Sequence, residues 1–329
     1  MLILTRRHLK RIIGMEESID TMEKAFRAFY RGNTKTPLRQ KISVPGNGGN
    51  ALYMPCLIEQ PDLLRALGIK VVTVYESNPD RGLPTIFGIY VLNQPETGKP
   101  LAILEASYLT GLRTAAVTGL GLRFLARSDA DRLGIIGSGY QAYFQALASD
   151  LEQNLNEIRL YDKETTKALD LQNRLSKQLQ KKIIVSNSPN ELVEKSEIII
   201  TVTNASDPVF SGDRLSQGDT IIAVGAYKPD AREVDSVTVQ RANIWVDSLE
   251  TSLEEAGDLI IPIEKGKLNK RAIMGELGGV LEGETPSRSS KQEITLFESV
   301  GLAFEDTALA KVAYDRASES QEGVEVNFN

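Results

Sequence analysis

The segment LGIIGSGYQA (133–142) constrains this chain more than any other. Gly137, Gly139 and Ala142 directly follow an apolar strand-like run and precede a helical stretch, Tyr143 to Leu151. In a strand–turn–helix each small residue has a task. The first glycine makes the tight turn, the second lets backbone approach a pyrophosphate, and the alanine allows close helix–strand packing. The helix N-terminus adds N–H donors and a favourable dipole. Gly137, Ser138, Gly139, Tyr140 and Gln141 are therefore expected at a dinucleotide. Asp162 ends the next strand and is placed to accept hydrogen bonds from both ribose hydroxyls of the adenosine half. An acid there repels a 2′-phosphate, which favours NADH over NADPH, although Lys163 beside it softens the preference. The plain alternative is an ordinary strand–turn–helix with Asp162 as a turn residue.

The surrounding texture agrees with the loop. From SDADR (128–132) onward, short apolar runs alternate with helical stretches. The runs are LGII, EIRLY (157–161), KIIVS (182–186), EIIITVT (197–203), TIIAVGA (220–226) and NIWVD (243–247). One helix starts at Ser188, where S-P-N-E is a capping box with proline at the first helical position. This alternation predicts an α/β fold, with a Rossmann-type, mostly parallel sheet domain over 128–300. Residues 1–127 read differently, as a second, α+β domain. MLIL and the basic run after it suggest a strand then a helix, and Ile19, Met22, Phe26 and Phe29 share one helix face. Strand-like ALYMP (51–55), IKVVTVY (69–75), TIFGIYVLN (85–93) and LAILE (101–105) follow, then a helix from about Tyr108 to Arg127. The polar tail SESQEGVEVNFN (318–329) is either loosely ordered or tied to the first domain.

Composition excludes several classes. The net charge is -6 and no long basic stretch is present, so no nucleic-acid partner is expected. No apolar run reaches the roughly 18 residues of a membrane span, so no membrane partner is expected either. The single cysteine, Cys56, cannot form an intrachain disulfide, and the cytoplasm is the plain expectation. The one histidine, His8, lies in a basic N-terminal segment. No metal site is expected, because no His/Cys cluster has ligand spacing, and no Gly-x-Ser-x-Gly elbow is present.

Ligands of open parallel sheets lie beyond the carboxyl ends of the strands. Thr203 and Asn204 end one strand and Gly225, Ala226 and Tyr227 another, so both segments are candidates to line a nicotinamide pocket. Simple turn chemistry is the alternative. In the first domain Lys70 sits among apolar neighbours, where an ammonium is costly unless it finds an anion. Arg113, among small and apolar residues, can offer its fork to a carboxylate. Arg39 lies in a polar loop. Snorkelling or surface roles are the alternatives for all three.

Six segments, the glycine loop among them, make a more specific pattern: LYMP (52–55), NPDRGLPT (78–85), ETGKPLAILEASYLTGLRTAA (96–116), IIGSGYQA (135–142), VGAYKPDAREVD (224–235) and ITLFESVGLA (294–303). In order and number they resemble the ornithine cyclodeaminase/mu-crystallin superfamily over nearly the whole chain. The resemblance implies an NAD(P)-binding domain and a substrate-binding and dimerisation domain, the latter completed by 301–329. It implies a homodimer acting on a small amino or imino acid. It matches Arg39, Lys70 and Arg113 to the family's substrate-carboxylate residues and puts Thr114 near a cofactor phosphate.

Two departures set the expected reaction. The cyclodeaminases carry an aspartate where this chain has Tyr227, and a glutamate where it has Leu52. Ornithine's second ammonium needs an acidic partner once removed from water. Asp230 or Glu233 substitutes only if the loop folds differently. Like the ketimine reductases, which also lack the aspartate, the chain is expected to reduce a cyclic imino acid such as 1-pyrroline-2-carboxylate or 1-piperideine-2-carboxylate with NADH. Tyr227 then stands at the active site without having to act as a strong acid. Ornithine cyclodeaminase, alanine dehydrogenase and a non-enzymatic NAD(P)H-binding protein are the rivals.

Overall fold

The computed structural model describes residues 1–46, 48–60 and 64–327. In chain order its first elements are β1 (Leu2–Leu4), α1 (Arg6–Ile12), α2 (Met15–Tyr30), β2 (Thr34–Lys35), β3 (Gln40–Val44), β4 (Gly49–Gln60), β5 (Leu64–Tyr75), β6 (Ile86–Asn93), β7 (Pro100–Glu105) and α3 (Ala106–Leu125). An alternating series follows: β8 (Arg132–Ile136), α4 (Tyr140–Glu152), β9 (Glu157–Tyr161), α5 (Thr165–Gln178), β10 (Lys182–Val185), α6 (Pro189–Glu194), β11 (Ile198–Thr201) and β12 (Thr220–Ala223). The chain ends with α7 (Ser236–Arg241), β13 (Asn243–Val246), α8 (Leu249–Glu255), α9 (Gly257–Glu264), β14 (Ile273–Glu276), α10 (Leu277–Glu282), β15 (Thr295–Glu298), α11 (Ala303–Ser320) and β16 (Val324–Glu325).

Two compact units result, Met1–Arg113 with Leu302–Asn329, and Thr114–Gly301. The division falls inside α3, whereas the sequence suggests a boundary after that helix, at 127/128. The reason is local. Arg113 on α3 bonds Glu305 of the first unit. Gly121, two turns on, lies so close to Phe297 and Ile222 of the second unit that a Cβ there would crowd both.

In the first unit the sheet runs β16-β1-β7-β6-β5-β4-β2, with β3 also on β4. Its register aligns Met54, Lys70, Tyr90, Leu104 and Leu4 in one row across five strands. All five are buried, and Lys70 is the only charged member. Helices α2 and α11 cover this face, joined where Phe304 stacks on Phe29 and meets Phe26 edge-on. On the opposite face, Ile42, Phe87 and Ile89 are each near half exposed. The tail is tied to this unit: Leu2 and Ile3 pair with Glu325 and Val324, and Phe328 and Asn329 lie outside the described residues.

The second unit is a Rossmann-type α/β fold. Its sheet order is β10-β9-β8-β11-β12-β15-β13-β14, and every pair is parallel. β8 enters centrally, β9 and β10 extend one way, and β11 starts the other way. That reversal between β8 and β11 is the switch point where such sheets bind ligands. Ile199, Ile221, Leu296 and Ile244 form one buried row across four strands. The capped helix at Ser188 is present, with Ser188 Oγ accepting from the Glu191 amide at 3.1 Å. The Glu191 carboxylate accepts instead from Asn187 N.

Candidate active site

In the second unit, β8 ends at the glycine loop. Gly137 has φ +100°, and a Cβ there would lie 2.7 Å from the Val202 carbonyl oxygen and 2.9 Å from Thr203 Cγ2. Only glycine meets both conditions. A Cβ on Gly139 would meet nothing within 4 Å, so this residue faces open space. Gly139 is also the N-cap of α4, which has no side-chain cap and no acid in its first turn. An open approach and an uncapped helix N-terminus are what a pyrophosphate requires. Ser138, Tyr140 and Gln141 lie on the same turn. Asp162, just after β9, accepts from Ser138 N at 2.8 Å and Glu164 N at 2.9 Å. It therefore buttresses the loop, with acceptor capacity left on each oxygen.

Thr203 and Asn204 follow β11, and Gly225 and Tyr227 follow β12. The two segments adjoin: a Cβ on Gly225 would run into the Thr203 carbonyl oxygen. Tyr227 is exposed, with Lys228 Nζ 5.6 Å from its ring centre. Of the two acids weighed as substitutes for the missing aspartate, Asp230 is exposed and Glu233 is fully buried. Both Glu233 oxygens are engaged by backbone amides, those of Thr203 and Gly225. Thr114, on α3, is 8% exposed.

In the first unit, Lys70 and Arg113 come together. Lys70 Nζ donates to Asp306 Oδ2 at 2.5 Å, and Arg113 donates to Glu305 Oε2 at 2.5 Å. Arg113 Nε also lies 3.4 Å from Asp306 Oδ1. Thus Lys70 does not snorkel, and the two cations are not a bare positive cluster. Each meets an acid from the first turn of α11. The reading of the residues missed these two acids, although a Glu-Asp pair inside LAFEDTALA (302–310) is a visible signal. Arg39 is half-buried just before β3, and its charge is felt at Lys70. Burial pulls the Lys70 ammonium down to about 8; Asp306 opposes this, while Arg113 and Arg39 add to it. Burial raises Asp306, but Arg113 and Lys70 outweigh it and its net shift is downward. The ion pair is therefore the resting state at neutral pH. Leu52 lies on the same face of β4 as Met54, paired with Val72 two residues along from Lys70, so that position offers no acid to a second ammonium.

The model of the ornithine cyclodeaminase/mu-crystallin family matches residues 1–321. The chain is 38% identical to a Delta(1)-pyrroline-2-carboxylate reductase of Bacillus cereus over 329 residues, all of both chains. It is 34% identical to an alanine dehydrogenase of Archaeoglobus fulgidus, over 99% of this chain and 98% of that one. Among solved structures it matches the Delta(1)-pyrroline-2-carboxylate reductase of Thermococcus litoralis, in complex with NADH and L-proline. There the TM-score is 0.96 and the identity 40%, with 99% of this chain and 100% of that one covered. The chain belongs to the ornithine cyclodeaminase/mu-crystallin family.

Proposed function

We propose that the protein reduces a cyclic imino acid, 1-pyrroline-2-carboxylate foremost, to the L-amino acid with NADH. The observation that carries this reading is the buried Lys70–Arg113 pair, held by Asp306 and Glu305, in a chain 38–40% identical to two pyrroline-carboxylate reductases. Arg113, with Arg39, binds the substrate carboxylate, and Lys70 lies within the same field of charge. Reduction adds a hydride to the imine carbon and a proton to its nitrogen, turning C=N into CH–NH. NADH, when bound, supplies the hydride. Lys70 supplies the proton: at about 8 its pKa leaves it charged at neutral pH yet able to release. Fixing the carboxylate orients the imine carbon, and orientation carries much of the rate.

Gly137, Ser138, Gly139, Tyr140 and Gln141 hold the pyrophosphate, with Thr114 near a phosphate. Thr203, Asn204, Gly225 and Tyr227 line the nicotinamide pocket. The Asp162 carboxylate supports NADH over NADPH. The absence of acid at positions 52 and 227, and the engagement of Glu233, disfavour ornithine as substrate. The apolar sheet face around Ile42, Phe87 and Ile89 supports a homodimer closed by a second copy of that face. A cytoplasmic setting fits the lone Cys56, a buried free thiol. Among the described residues no helix is long and apolar enough to cross a membrane.

The direct test uses NADH carrying deuterium at both C4 positions with 1-pyrroline-2-carboxylate. Deuterium on Cα of L-proline supports the reading. Proline without label, or no proline, overturns it.

A further inference from the structure

The parallel ladder of the second unit stops one residue short of the candidate nicotinamide pocket. Val202 N donates to Ile136 O at 2.9 Å, and Val224 N donates to Thr201 O at 3.1 Å. The next amide on each strand, Thr203 N and Gly225 N, has left the ladder. Both are taken by one side chain. Glu233 Oε1 accepts from Thr203 N at 2.5 Å and Oε2 accepts from Gly225 N at 2.7 Å.

Glu233 is itself fixed. Its own amide donates to Asp258 Oδ1 at 2.7 Å, its carbonyl accepts from Val209 N at 2.8 Å, and its side chain is fully buried. The geometry leaves no slack around it. A Cβ on Gly225 would lie 2.5 Å from the Glu233 carboxyl carbon, and one on Gly137 would strike Val202 and Thr203. The phosphate loop, the end of β11 and the end of β12 therefore form one close stack, and Glu233 is the crosspiece that sets its spacing.

Burying a carboxyl against backbone amides, with Asp258 nearby, is costly for a group that only ends two strands. Solvent satisfies strand ends without that cost. We infer that Glu233 is a positioning residue for the nicotinamide half of the cofactor, acting through Thr203 and Gly225. The inference rests on the proposed NADH site and adds to it a residue that touches neither cofactor nor substrate.

The test compares NADH with ADP-ribose, which lacks the nicotinamide, in Glu233→Gln. The amide of Gln presents an N–H to one of the two backbone N–H groups, so one strand end is released. NADH affinity should weaken about tenfold and kcat should fall on the order of 10–100-fold, as expected for misplacement of a reacting group. ADP-ribose affinity and the KM for the imino acid should stay within about twofold. NADH and ADP-ribose weakening together, or neither weakening in folded variant, overturns the inference. Should Glu233→Gln not fold, Glu233→Asp carries the same test, its shorter side chain reaching one amide at most. In the intact protein without NADH, the Thr203 and Gly225 amide protons should exchange slowly; exchange at loop rates overturns the inference without any variant. Failure of the wild-type protein to bind NADH would instead overturn the cofactor reading on which this rests.

Discussion

Lys70 and Asp306 lie 236 residues apart in the chain and meet at 2.5 Å between Nζ and Oδ2, both almost wholly out of solvent. The pair joins the central strand row of the first unit to the first turn of α11. It keeps a buried ammonium charged while letting its pKa fall to about 8. Removing that charge, removing its partner, and changing pH should each have a distinct effect.

Replacing Lys70 with methionine keeps most of the buried volume and removes the ammonium. Turnover with 1-pyrroline-2-carboxylate should fall on the order of 100-fold or more. NADH affinity, set by the second unit, should not change. Steady-state kinetics and an NADH fluorescence titration check both. Turnover within about threefold of wild type would remove Lys70 from the chemistry.

The proton-donor role has a signed pH dependence. As pH rises through about 8, Lys70 loses its proton and the rate should fall. In Asp306→Asn the partner charge that holds the lysine pKa up is gone, while burial and Arg113 remain. The basic limb of the pH–rate profile should then move to lower pH. The variant should also lose about 3–5 kcal/mol of stability, because it strands a buried cation. A limb that stays in place would show that Lys70 is not the titrating group.

Asp258 gives a pH dependence of stability rather than of rate. Burial, with Glu233 nearby, raises it from 3.8 to about 7. The folded protein therefore holds a proton that the unfolded chain gives up. The resulting stabilisation is full below about 3.8 and is lost as pH rises through about 7. Asp258→Asn retains Oδ1 for the Glu233 and Val234 amides and does not titrate. Its Tm relative to wild type should therefore be more favourable at pH ~8 than at pH ~5. An equal difference at both pH values would contradict this.

Ile89 sits in the row Tyr53–Val71–Ile89, on the sheet face that α2 and α11 do not cover. If a second copy closes that face, Ile89→Glu should convert a dimer to a monomer in sedimentation analysis, with the subunit still folded. A wild-type monomer, or a variant that remains dimeric, would exclude this face as the interface.

Much of this was legible in the residues, and the failures are instructive. EIRLY is β9 to the residue, because alternating apolar side chains between polar boundaries specify a short strand. Gly137 was legible from its place between an apolar run and a helical stretch, and its positive φ and the pressure of Val202 are why glycine stands there. β15, in contrast, escaped a reading by pattern. Only Thr295–Glu298 is in the strand, and its place between β12 and β13 depends on pairing that local sequence does not encode. Glu305 and Asp306 escaped for a similar reason. In sequence they resemble acids that stabilise a helix N-terminus, and only the fold brings Lys70 and Arg113 to them. Glu233 reads in sequence, with Asp230, only as a substitute for the missing aspartate; its burial and two amide contacts give it a different task.

Imine reduction is tested most simply by following NADH absorbance in purified protein given freshly made 1-pyrroline-2-carboxylate. L-alanine with NAD and L-ornithine with NAD are run in parallel. Rapid NADH oxidation with the imine is expected, with no net NADH formation from alanine and no proline from ornithine. Proline from ornithine, or NADH formed from alanine while the imine is inert, would contradict it.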